Sequence, residues 1–139
     1  SALNRDMEVA RYKGSALAHK IIESLDHGPK YTYLIGHDTN LANLGEIFDL
    51  NWRLPGRDLN ENTPGGYLTF EKWSVNGQLE IRVFYSALSP EQIHAEKVTK
   101  PTDDFEILPR GAKFDVWKKT YSRRLQTNCI AEDKYEKRK

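Results

Sequence analysis

Tyr31-Thr32-Tyr33-Leu34-Ile35-Gly36-His37-Asp38-Thr39-Asn40 runs directly into Leu41-Ala42-Asn43-Leu44. Five β-favouring or aliphatic residues lead to a glycine, then to four polar side chains, then to a helix-forming run, which predicts a buried strand, a tight exit and a helix. In an open α/β sheet this junction is where ligands sit. The strand's carboxyl end and the helix's amino end together present unpaired N–H groups and the positive end of a dipole, which suits an anion such as phosphate. His37 and Asp38 are therefore the candidate chemistry: an imidazole able to donate to an anionic oxygen, beside a carboxyl group able to act as general acid. The dipeptide alone also fits two metal ligands, or a helix cap next to a surface histidine.

Upstream, residues 6–26 predict an amphipathic helix, with Val9, Ala10, Leu17, Ile21, Ile22 and Leu25 near one face and Asp6 and Glu8 at its positive end. Gly14 weakens its middle by up to about 1 kcal/mol relative to alanine. Gly28-Pro29 end it, and His19 and His27 read as exposed helix and cap residues. Downstream, residues 40–48 predict a helix packed through Leu41, Leu44, Ile47 and Phe48, and Asp49 to Thr63 a polar loop with Trp52 as its aromatic anchor. Asn60-Glu61-Asn62 read as breakers there, and Arg53 and Arg57 as exposed loop arginines within conceivable reach of a phosphate. Residues 66–73 and 79–86 alternate as two strands around Asn76-Gly77, a strong tight-turn signal, and are expected as the antiparallel edge of a mixed sheet. Thr63-Pro64-Gly65-Gly66 lets backbone pass close to a neighbour. Ser89-Pro90 begins a short helix, Phe105 to Leu108 a short strand, and Phe114, Trp117, Tyr121 and Leu125 mark a terminal helix over 113–126.

The 139 residues suffice for one domain with a real core. A net charge of +1 gives no electrostatic footprint for nucleic acid or membrane, and the basic end, Lys134 to Lys139, reads as a solvated tail. No apolar run approaches the roughly 18 residues that a membrane span needs. A single cysteine, Cys129, permits no internal disulfide. No Walker-type glycine loop, paired cysteines or repeats are present.

The run Gly36-His37-Asp38-Thr39-Asn40-Leu41-Ala42-Asn43-Leu44-Gly45 resembles a signature of the histidine acid phosphatase family. Leu50-Asn51-Trp52, Leu54-Pro55-Gly56 and Asn62-Thr63-Pro64-Gly65-Gly66-Tyr67-Leu68-Thr69-Phe70-Glu71-Lys72-Trp73 are similar to its bacterial phytase and glucose-1-phosphatase branch. The similarity covers roughly residues 5 to 130. It implies an α/β fold, a partial three-layer α/β/α sandwich with the hairpin at the sheet edge, over residues 1–130, followed by a charged tail, 131–139. It implies a two-step phosphomonoester hydrolysis through a phosphohistidine, without metal or other cofactor, in which His37 binds the phosphoryl oxygens, Asp38 protonates the leaving oxygen and Thr39 contacts substrate. Such a donor works when protonated, which fits a phosphatase acting below neutral pH.

The family's nucleophilic histidine lies in an Arg-His-Gly-x-Arg-x-Pro motif, and no Arg-His-Gly occurs among His19, His27, His37 and His94. The chain is therefore expected to be the carboxy-terminal portion of such an enzyme, inactive alone, with any signal peptide upstream and a periplasmic or secreted location. Cys129 matches in position a cysteine that pairs far upstream in relatives. Glu46 replaces a glycine common in relatives, and Thr39 is more phytase-like than the serine of many glucose-1-phosphatases. Two other readings stand beside this one: a non-catalytic module that binds phosphate or a partner, and a metal-dependent hydrolase using His37 and Asp38 as ligands. Self-association through an exposed sheet edge is the further expectation.

Overall fold

A computed structural model describes residues 6–28, 31–36, 38–63, 65–95 and 103–125. His37, Pro64, Cys129 and the expected tail 131–139 lie outside the described residues. The first helix, α1 (Met7–Asp26), starts at Asp6, whose extended backbone and side-chain carboxylate, accepting from the Val9 N–H at 3.1 Å, form an N-cap. Its buried residues are Ala10, Gly14, Ser15, Ala18, Ile21, Ile22 and Leu25. Val9, expected among them, stands 45% exposed. Small residues dominate the first half of this set because a second helix passes close by. A Cβ at Gly14 would lie 3.0 Å from both the Asn43 Cβ and the Ile47 Cδ1.

That second helix is α2 (Asp38–Ile47), reached from the strand β1 (Thr32–Ile35). The predicted hairpin forms as β2 (Tyr67–Val75) and β3 (Gln78–Ala87), with Asn76 at φ 52° and Gly77 at φ 81°, the double left-handed geometry of a two-residue hairpin turn. A short helix α3 (Pro90–Ala95) follows, then β4 (Asp103–Glu106) and α4 (Phe114–Ser122). Ser89 and Gln92 cap α3 reciprocally: the Ser89 Oγ accepts from the Gln92 N–H at 3.2 Å and the Gln92 Oε1 from the Ser89 N–H at 2.9 Å. The expected terminal helix stops at Ser122, and the expected Phe105–Leu108 strand begins two residues early.

The strands form one sheet in the order β1-β2-β3-β4, every neighbouring pair antiparallel. The α/β fold class holds, but the hairpin's expected place at the edge does not. β2 and β3 are the middle of the described sheet, because β1 pairs with β2 over Thr32–Ile35 and β4 pairs with β3 over Phe84–Ala87. Alternation marks a strand as half-buried and carries no information on how many neighbours it pairs with.

Register puts Leu68 opposite Tyr85, Phe70 opposite Val83 and Lys72 opposite Ile81, and all six are buried. α1, α2 and α4 pack on this face. Phe48, just past α2, meets Phe70 edge-on at 5.4 Å and stacks on Trp117 of α4 at 5.0 Å. Lys72, only 3% exposed, sets its ammonium 5.0 Å from the Phe114 ring centre, so its stem packs as an apolar residue. The opposite face carries Tyr67, Glu71, Trp73, Glu80, Arg82 and Phe84 partly exposed. There the Arg82 guanidinium lies 4.4 Å over Trp73.

Candidate functional site

Asp38 is the first residue of α2, three residues past the Ile35 end of β1, and its side chain is exposed, as is that of Thr39. The next turn reverses character: Leu41, Ala42 and Leu44 are buried and fix the helix to the core. The junction read from the sequence is therefore present, with two candidate side chains at the open, positive end of a ten-residue helix and its apolar residues anchoring the other side. A carboxylate there gains about 0.3–1 kcal/mol from the helix dipole, and the same field favours a bound anion. Gly36 lies alongside the later chain: a Cβ on it would stand 3.7 Å from the Tyr67 Cβ and 3.8 Å from the Gly66 carbonyl oxygen. The chain leading into β2 thus borders the site.

That chain is the polar loop after α2, and it is built around two aromatic rings. Trp52 (3% exposed) and Tyr85 (0%) stack nearly parallel, with centres 4.7 Å apart and an 8° tilt. The Trp52 Nε1–H donates to the Glu61 carbonyl at 3.1 Å, and the Thr63 N–H donates to the Tyr85 Oη at 3.2 Å. The Thr63 hydroxyl lies 3.2 Å from the same oxygen. Asn60, in the left-handed region at φ 61°, closes the loop on itself. Its N–H donates to the Trp52 carbonyl at 2.7 Å, its Oδ1 accepts from the Trp52 N–H at 3.0 Å, and its Nδ2 donates to the Asn51 Oδ1 at 3.0 Å. Gly66 is demanded by this arrangement, because a Cβ there would fall 2.2 Å from the Tyr85 Oη. The neighbour expected for this backbone is thus the strand residue Tyr85, and Gly66 also lies alongside Gly36.

Between the two tethered residues Glu61 and Thr63 stands Asn62. Its Nδ2 donates to the Asp38 main-chain carbonyl at 3.2 Å, joining loop to helix start. Asn62 reads in the sequence as a breaker within a polar loop, and the only signal that could have singled it out was its place in the Asn62-Thr63-Pro64-Gly65-Gly66 run. Arg57 donates to Glu61 at 3.0 Å and holds that carboxyl below its usual range, first through the hydrogen bond. The Arg53 Nε–H donates to the Arg57 carbonyl at 3.1 Å. Both loop arginines are thus engaged within the loop. His19 and His27 lie 3.7 and 3.6 Å from Glu23 on α1, and His94 is exposed on α3. Among the described residues no three His, Cys, Asp or Glu side chains are grouped to hold a metal ion, and no helix is long and apolar enough to cross a membrane.

No family model matches the chain. Phytase AppA of Escherichia coli (strain K12) is 43% identical to it over 84 residues, taking in 51% of this chain and 19% of that protein. The crystal structure of the Klebsiella sp. ASR1 phytase superposes with a TM-score of 0.72 at 20% identity, over 91% of this chain and 36% of that one. The Citrobacter braakii phytase structure gives a TM-score of 0.73 at 25% identity, over 91% and 38%. The chain thus spans about a fifth of the curated relative it matches.

Proposed function

We propose that the chain is the carboxy-terminal part of a histidine acid phosphatase hydrolysing phosphomonoesters, phytate or sugar phosphates among them, a reading supported by its likeness to the phytases. Asp38 is its general acid, His37 donates to the phosphoryl oxygens and Thr39 contacts substrate. The observation that carries the reading is the exposed Asp38 carboxyl at the amino end of α2, directly after β1. A phosphate seated at that helix end has its leaving oxygen beside a proton donor.

The reaction divides into two steps. A histidine outside these residues attacks phosphorus, the P–O bond to the alcohol breaks, and Asp38 passes its proton to the departing alkoxide. Asp38, now a carboxylate, then takes a proton from water as it attacks the phosphohistidine and releases phosphate. An alkoxide leaves poorly, so the proton is worth roughly 10²- to 10⁴-fold. We place this enzyme in the periplasm or outside the cell, in keeping with the family resemblance.

The test is hydrolysis at acidic pH by the full gene product and by the 139-residue chain, with an alkyl phosphate and p-nitrophenyl phosphate as probes. The expected result is turnover by a full product carrying Arg-His-Gly, none by the chain alone, and a loss of 10²- to 10⁴-fold in kcat for the alkyl phosphate in Asp38→Asn. A gene product confined to these residues and without turnover would favour the second reading, a phosphate- or partner-binding module.

A further inference from the structure

We infer that Asn62 is a positioning residue for Asp38, an assignment that rests on the general-acid reading above. A proton donor must come within hydrogen-bond reach of the leaving oxygen, and misplacement by about 1 Å can lower a rate about a hundredfold. Asp38 occupies the least constrained place in a helix, its first residue, and its side chain is exposed. The Asn62 Nδ2 grips its main-chain carbonyl at 3.2 Å from outside the helix. A carbonyl oxygen has two lone pairs, so this bond leaves room for the intrahelical one.

The grip is rigid because both neighbours of Asn62 are fastened to the same stacked pair. The Glu61 carbonyl accepts from Trp52, the Thr63 N–H donates to Tyr85, and the two rings lie 4.7 Å apart. The other end of the Asn62 amide supports the assignment independently. Its Oδ1 is buried with no partner among the described residues. A buried amide with only its donor engaged is unfavourable for stability, as befits a group kept for what its N–H₂ holds. The loop after α2 therefore acts as a brace that fixes the general acid.

The experiment compares the full enzyme with Asn62→Ala and Asn62→Asp on an alkyl phosphate and on p-nitrophenyl phosphate, whose leaving group needs little protonation. The expected result is a fall of about tenfold or more in kcat for the alkyl phosphate with KM nearly unchanged, and a clearly smaller fall for the aryl phosphate. Asn62→Asp, which puts an acceptor against the Asp38 carbonyl, is expected to do no better than alanine. In the 139-residue chain, amides of Leu41 to Leu44 should exchange faster in Asn62→Ala while those of α4 keep their rates. Equal losses on both substrates, a change in KM alone, or unaltered exchange in α2 would overturn the assignment. Asp38→Asn run alongside separates the two claims: if it leaves the alkyl-to-aryl ratio unchanged, the general-acid reading has failed instead.

Discussion

At the residue scale, Tyr85 does the most with one atom. Its ring is fully buried against Trp52, and its hydroxyl accepts from the Thr63 N–H within a site that a Cβ on Gly66 would occupy. Tyr85→Phe keeps the stack and orphans a buried N–H, so a loss of about 1–3 kcal/mol is expected in chemical denaturation. A midpoint within error of wild type would mean that water or a shifted backbone satisfies Thr63 equally well. The strand's alternation places Tyr85 among packing residues, and nothing in the sequence announces that its oxygen serves a loop twenty-two positions upstream. Lys72 makes the same point. A charged residue in an alternating strand reads as solvent-facing, yet Lys72 lies on the face of β2 packed on the helices, with Leu68 and Phe70.

At the element scale, helix packing decides what propensity alone leaves open. Alanine at position 14 would gain up to about 1 kcal/mol of helix propensity. Its Cβ would also press on Asn43 and Ile47 at 3.0 Å, and overpacking of a tight crossing costs about 1–3 kcal/mol. Gly14→Ala is therefore expected to leave the chain no more stable and up to about 2 kcal/mol less so; a rise in stability would show that α1 and α2 can separate freely. The carboxyl end of α1 offers a pH-dependent test. Asp26, the last residue of α1, receives a hydrogen bond from Lys118 of α4, which holds its carboxyl below the usual range, while Asp26 in turn raises the Lys118 ammonium. A lowered carboxylate contributes stability above the ordinary aspartate range, near pH 4, and loses it as pH falls through the folded value; the raised lysine keeps its contribution until alkaline pH. Both side chains are more than a third exposed, so the pair is worth less than about 1 kcal/mol. The stability difference between wild type and Lys118→Met is expected at pH 7 and should vanish toward pH 2. A difference constant across that range would remove the ion pair as its cause.

At the scale of the whole molecule, one face of the sheet is packed by three helices and the other stays partly open. Tyr67, Thr69, Glu71, Phe84, Ser86 and Asp104 line a shallow hollow of about 240 Å³ on that open side. β1 pairs with β2 alone among the described strands and so leaves a free edge. Edges of this kind recruit further strands. The 139-residue chain is expected to self-associate in a concentration-dependent way, seen as a rising mass in light scattering. A monodisperse monomer at every concentration would sink that expectation.

The stretch from Tyr31 to Leu44 determined the strand, the helix start and the exposed Asp38 between them, because local periodicity and dipole chemistry act within a few residues. The hairpin was equally legible, since Asn76-Gly77 dictates its turn without help from the rest of the chain. The hairpin's central place in the sheet, the burial of Lys72 and the grip of Asn62 on Asp38 were decided only in three dimensions. Each depends on a partner distant along the chain: β1 and β4 for the hairpin, Phe114 for Lys72, and Asp38, twenty-four positions away, for Asn62. Periodicity reports which side of an element is apolar, and contacts between elements report what that side meets.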